Sequence, residues 1–186
     1  MGPFTAFASH PDGVRFETQE AEEIVVLFLR QHLIVNLGWV LLAILLIFAP
    51  IVVFPLIISA LGLTIAVPPN YLFIGALFWY VGTFGFVLAK FLGWYFNIYI
   101  ITNERIVDID FYYLLYKHFS QAELTKIQDL SYVSGGIVAT FFHYGNVRIQ
   151  TAGEMPNLEF DRVPRPDKVV ETIRSLADQI KGKGTL

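Results

Sequence analysis

Residues 33–89 run for 57 positions without a single Asp, Glu, Lys or Arg. An α-helix crosses roughly 30 Å of hydrocarbon with about 20 mostly apolar residues, so this stretch has the length for two crossings. Pro68-Pro69-Asn70 interrupts it, and such a cluster breaks helix and marks a turn. The expectation is a helical hairpin, with a first span in 33–61, a loop over 62–70 and a second span over 71–92. The rest of the 186-residue chain is too short to enclose so long an apolar stretch as a soluble core.

Details within the hairpin carry further expectations. Pro50 and Pro55 remove backbone donors from the second half of the first span, which predicts a kink whose freed carbonyls bond to the neighbouring helix. Gly75, Gly82 and Ala89 recur every seven residues, with Gly85 beside them, and small residues of this kind let helix backbones approach closely. The loop has no Lys or Arg, whereas Arg30, Lys90 and Arg105 flank the outer ends. By the positive-inside rule both termini face the cytoplasm of a multi-pass protein in the cell membrane. Trp94, Tyr95 and Phe96 follow Lys90 and suit the headgroup belt at that end, with Tyr71 at the other.

Charge returns outside the hairpin. Residues 1–32 carry five acids and two bases, and 97–186 carry eleven acids and ten bases. The chain therefore divides into an N-terminal cytoplasmic segment (1–32), the hairpin (33–96) and a soluble domain (97–186). A net charge of -3 without a long basic run argues against a nucleic-acid partner, since phosphate backbones need clustered Lys and Arg. Cysteine is absent, which excludes disulfides and thiolate chemistry. The acidic N-terminus does not read as a cleaved signal peptide.

Past Phe96 the pattern turns to short β-type runs. Residues 97–101 read as a strand, Thr102-Asn103-Glu104 as a tight turn and 105–111 as the returning strand. In that second strand Val107, Ile109 and Phe111 alternate with Asp108 and Asp110, predicting one buried and one wet face. Further strands are expected over 116–121, 124–133, 146–151 and 158–163. Pro166-Asp167 opens a helix running to about Lys181, with Val169, Val170, Ile173, Leu176, Ala177 and Ile180 on one side.

The run Asn97-x-Tyr99-x-x-Thr102-Asn103-x-Arg105-Ile106, then Lys126-Ile127-Gln128-Asp129-Leu130, then Gly145-x-Val147-x-Ile149-Gln150-Thr151-Ala152-Gly153 resembles the bacterial pleckstrin-homology-like domains found behind two-helix membrane anchors. Glu22-Glu23 and Arg30-Gln31-His32 also resemble the family's segment before its first span. The resemblance implies a membrane helical hairpin plus an α+β domain, a partly open barrel of about seven strands capped by a C-terminal helix. It supplies no catalytic residue.

Chemistry-bearing clusters are sparse. His118-Phe119-Ser120 puts a base near a hydroxyl without a specified orienting acid, and reads as a surface pair. His10, His32, His118 and His143 lack metal-ligand spacing. Ser134-Gly135-Gly136 lacks the Gly-Lys-Ser/Thr of a phosphate loop and reads as a turn. Asp108, Asp110 and Asp129 read as a solvated face. No cofactor or metal is expected, and the first hairpin carries Arg105 alone among acids, unlike phosphoinositide-binding domains.

The expectation is thus a non-enzymatic protein whose cytoplasmic domain docks a protein partner or copies of itself at the bilayer. The alternative is a lipid-headgroup-sensing accessory in envelope stress or transport, working through Tyr112, Tyr113, Leu114 and Leu115. With no polybasic run, no preference for anionic lipid is expected.

Overall fold

The computed structural model describes residues 2, 4–11, 13–16, 18–62, 68–112, 116–152 and 157–183, with side chains left out over 111–118 and at 183. It divides into two units, residues 36–92 and residues 1–35 together with 93–186.

The first unit is the hairpin. A 3-10 turn (Leu33–Asn36) leads into α1 (Leu37–Phe48), a π-helical turn (Ala49–Val53) and α2 (Phe54–Ala60). The return helix α3 spans Pro69–Phe96, its last residues belonging to the second unit. Both helical stretches, Leu33–Ala60 and Pro69–Phe96, are long and apolar enough to cross a membrane. Pro50 has no N–H to offer the carbonyl four residues back, and it lies within the π turn. The Trp79 indole N–H donates to that carbonyl, Leu46 O, at 2.8 Å, and the Tyr80 hydroxyl donates to Ile47 O at 3.2 Å. The expected repair by the neighbouring helix is therefore in place. Gly75, Gly82, Gly85 and Ala89 are exposed, and a Cβ at any of these three glycines would touch nothing. The small-residue stripe does not pack inside the hairpin.

The second unit is all antiparallel sheet with helices. β1 (Phe7–Ser9), β2 (Val25–Leu29), β3 (Ile98–Thr102), β4 (Arg105–Tyr112) and β5 (Tyr116–Glu123) form one sheet in that order. β6 (Ile127–Val133), β7 (Tyr144–Thr151) and β8 (Leu158–Pro164) form the other, and the two do not close into a barrel. A 3-10 turn, Leu124–Lys126, takes the start of the strand expected over 124–133. α4 (Ile137–Phe142) joins β6 to β7, and α5 (Pro166–Lys183) follows β8. Among the described residues there are eight strands, against the about seven that the resemblance implies: β3–β8 answer to the six read from the sequence after Phe96, and residues 1–32, set apart in the sequence, supply β1 and β2.

One core cluster gathers Leu27, Leu29, Ile101, Ile106, Ile149 and Phe160 from both sheets with Val169 and Ile173 of α5. The predicted helix face is the one that packs, with Leu176 and Ile180 at its partly buried margin. A second cluster, Val25, Phe28, Ile100 and Val107, lies under Ala8, Val14 and Phe16. The N-terminal segment thus covers the Val107 and Ile109 face of β3 and β4, while Asp108, on the opposite face with Ile106 and Tyr99, is only 6% exposed.

Register fixes where the chain leaves and re-enters this sheet. Leu29, the last residue of β2, pairs with Tyr99 near the start of β3. The chain therefore departs toward Leu33 and returns from Phe96 at the same end of the sheet.

Candidate functional site

The resemblance motifs turn out to build a clamp. Glu23, whose side chain is fully buried, receives Arg105 Nε on Oε1 at 3.0 Å and Arg105 Nη2 on Oε2 at 2.8 Å. The Thr102 hydroxyl donates to Oε1 at 2.7 Å and accepts from the Glu104 and Arg105 N–H groups. Glu20 N donates to Oε2, and Asn103 pairs with Ile24 through its N–H and its Oδ1. Burial pushes the Glu23 carboxyl up, but the bonds from Arg105, Glu20 N and Thr102 outweigh it and hold the group below its usual range. Arg105 is raised, first by that same bond. A bidentate Arg–carboxylate pair adds geometric specificity to its energy, and this one ties the chain before the first apolar helix to the chain after the second.

Other motif residues are structural as well. Tyr99 is buried, stacks on Phe160 at 4.4 Å and accepts from Asp161 N at 3.2 Å. At Gly145 a Cβ would lie 2.6 Å from Val133 O, so only glycine lets β7 approach β6 there. Ile127 is buried opposite Thr151, Asp129 is exposed, and Gly153 lies outside the described residues. Thr151 is buried, and among the described residues its hydroxyl makes no hydrogen bond. It lines a cavity of about 300 Å³ with Glu20, Glu104, Glu123, Arg105 and Lys126.

The expected interface residues divide. Trp94 is 5% exposed, lies 6.4 Å from the Phe4 ring and donates to Gln31 O at 2.9 Å, so its ring is covered by protein. Tyr95 lies under the Arg30 guanidinium, 4.4 Å from the ring centre, while Phe96 is exposed. Tyr113, Leu114 and Leu115 lie outside the described residues, as does the Tyr112 side chain. Register sets Asp110 opposite His118 and Asp108 opposite Ser120. Burial, then Asp110 and Asp161, push the Asp108 carboxyl up to about 7, which corrects the solvated reading of that residue.

Sequence reasoning missed α4. Ser134-Gly135-Gly136 does make a turn, with Gly136 at φ 92°, but six helical residues follow before His143 stops them in the left-handed region. Only Ala139 of this helix is buried. Ile137 is 89% exposed and Phe141 75%, with Val138 and Phe142 also exposed and Tyr132 and Val133 of β6 continuing the surface. The available signal was an apolar run directly after Gly-Gly.

This surface lies at the end of the domain where the chain leaves for the hairpin. His32 N donates to Arg162 O at 2.8 Å, and the His32 ring stacks on Tyr144 at 5.5 Å and meets Phe142 at 6.3 Å. Next to it a cavity of about 640 Å³ is lined by Phe7, Leu33, Phe142, His32, His143, Arg165, Asp167 and Lys168, with Ala6 and Pro164. Burial lowers the His32 imidazole from its usual value.

Scanned against protein-family models, the chain matches none, and no curated protein matches it.

Proposed function

We propose that this chain is a non-enzymatic membrane protein whose β-sheet domain works on the bilayer surface, with α4 as the element that enters the lipid interface. The observation carrying the reading is the outward apolar face of α4, beside the residue, Leu33, that begins the first apolar helix. Domains rarely leave such a patch in water. An interfacial helix buries its apolar face at the headgroup boundary, and partial burial of Ile137, Val138, Phe141 and Phe142 would contribute on the order of 4 kcal/mol. His143, Arg165 and Lys168 beside it suit the phosphate layer.

In this reading the hairpin spans the cell membrane with both termini cytoplasmic, as the positions of Arg30 and Lys90 support. The two antiparallel sheets and α5 are a pleckstrin-homology-like arrangement, which by itself does not fix function. The charged groups and hydroxyl brought closest together, Glu23, Arg105 and Thr102, are engaged in the clamp rather than offered to a substrate.

Docking of a protein partner or a second copy would use the same patch, so the test must separate occupants. The chain lacks cysteine, so Phe141→Cys gives a single labelling position. In liposomes a fluorophore there should be quenched by nitroxide-bearing lipid, and one at Asp178→Cys should not. Absence of lipid quenching together with energy transfer between labelled copies would assign the surface to self-assembly instead.

A further inference from the structure

Among the described residues four non-glycine residues have left-handed backbone, and three of them are basic and close to one another: His143 (φ 52°), Arg162 (φ 48°) and Arg165 (φ 51°). A side chain in this region costs on the order of 1 kcal/mol or more, and glycine would avoid it. The chain nevertheless carries imidazole and guanidinium groups here. Arg165 N donates to His143 O at 2.8 Å, which fixes the two backbones together.

His143 and Arg165 line the 640 Å³ cavity, and so do His32 and Lys168. The His32 ring is oriented by its stack on Tyr144, and its Nδ1 accepts from Ile34 N at 3.1 Å, which leaves Nε2 as the hydrogen-bearing donor. Among the described residues neither Arg165 nor Lys168 makes an ion pair, and Arg165 rests 5.7 Å over the Phe7 ring. One acid, Asp167, shares the lining, so the positive groups exceed the negative by a small margin. The remaining wall is apolar, with Leu33 and Phe142 exposed.

We propose that this cavity binds the phosphate of an anionic phospholipid headgroup, with Arg165 and Lys168 as its charged contacts, His32 and His143 as ring N–H donors, and Leu33 and Phe142 against the glycerol and first acyl carbons. The margin of charge fits a singly charged phosphodiester. Asp167 would repel a headgroup with several phosphates. Leu33 is both a wall of the cavity and the first residue of the first apolar helix, so chain connectivity holds the cavity at headgroup depth once that helix is inserted.

The proposal rests on the reading that this end of the domain faces the bilayer, and it fails separately from it. Detergent-purified full-length chain is titrated with phosphatidylglycerol, with phosphatidylcholine of the same acyl chains and with inorganic phosphate, and retention is read by native mass spectrometry. The wild type should prefer phosphatidylglycerol by about fivefold or more, the scale of one charge-assisted contact. Arg165→Gly should abolish that preference while the melting temperature holds or rises, because glycine adopts the left-handed backbone without strain. If Arg165→Gly destabilises the fold, Lys168→Gln at an exposed position decides alone, and Lys126→Gln, whose lysine pairs with Glu123 elsewhere, should change nothing. Retained preference in both variants overturns the proposal, as does inorganic phosphate displacing the lipid, which would assign the site to free phosphate. Lipid quenching at α4 with unchanged headgroup preference would sink this inference alone. Loss of lipid quenching would sink the reading beneath it.

Discussion

The hairpin and the β-sheet domain use the same residue types in opposite ways. Ile51, Leu56 and Phe78 of the hairpin are exposed, whereas Leu29, Ile106 and Phe160 of the domain are fully buried. Leu and Phe do not choose inside or outside by themselves; the medium around each unit decides, and a bilayer accepts what water expels. The polar groups mirror this. In the hairpin a backbone carbonyl stripped of its partner by Pro50 is met by Trp79 from the other helix, while in the domain a buried carboxylate is met by an arginine. α4 is the place where the domain behaves like the hairpin, with Ile137 and Phe141 facing out.

The sharpest way to break the comparison is at the clamp. Removing Arg105 leaves Glu23 buried without its cation, and losing one partner of a buried pair costs about 3–5 kcal/mol. Arg105→Ala in the detergent-solubilised full chain should therefore lower the domain's unfolding midpoint by many degrees. A shift within error would show that the two flanks of the hairpin are held together by the sheet alone.

Next comes a matched pair of truncations. Ile173→Ala opens a cavity in the core and should cost about 2–5 kcal/mol, whereas Leu56→Ala, on the exposed side of the hairpin, should stay within about 0.5 kcal/mol. Equal losses would mean that something other than lipid covers Leu56.

Two carboxylates sharpen the comparison through pH, with opposite signs. Glu23 is held below its unfolded value, so its contribution is present above the unfolded pKa and is lost as pH falls through the folded one. Asp108 is raised from 3.8 to about 7, so the folded state binds its proton more tightly. Stability from that group is full below about pH 4 and declines as pH rises to about 7, by on the order of 4 kcal/mol. Asp108→Asn should flatten that decline and raise the melting temperature at pH 8. An unchanged slope between pH 4 and 7 would place Asp108 in water after all.

The smallest effect belongs to Trp79→Phe, which keeps the ring against Phe54, 5.0 Å between centroids, but removes the donor to Leu46 O. Hydrogen bonds between membrane helices average about 0.6 kcal/mol and reach about 1.7. A loss in that range should be visible as faster unfolding of the hairpin in detergent, and no change would mean that water serves the carbonyl equally well.

The sequence made the hairpin legible because composition and length suffice for it, and it made α5 legible because its face repeats over several turns. Glu23 and Arg105 carried a pattern, but 82 positions separate them, and nothing local says that one closes on the other. Asp108 alternates as a wet residue should; it is buried because its face of β4, shared with Ile106 and Tyr99, packs toward the second sheet. α4 is too short for periodicity to show. The basic lining of the large cavity escaped charge counting because residues 32, 143, 165 and 168 never form a run.

The central claim, that α4 meets lipid, is tested most directly by placing a photo-crosslinking side chain at Ile137 and irradiating the full chain in native-like liposomes. The account predicts phospholipid adducts on the peptide carrying residue 137, and none when the same group replaces Asp178 on α5. Adducts to a second copy or to another protein, with no lipid attached, would contradict it.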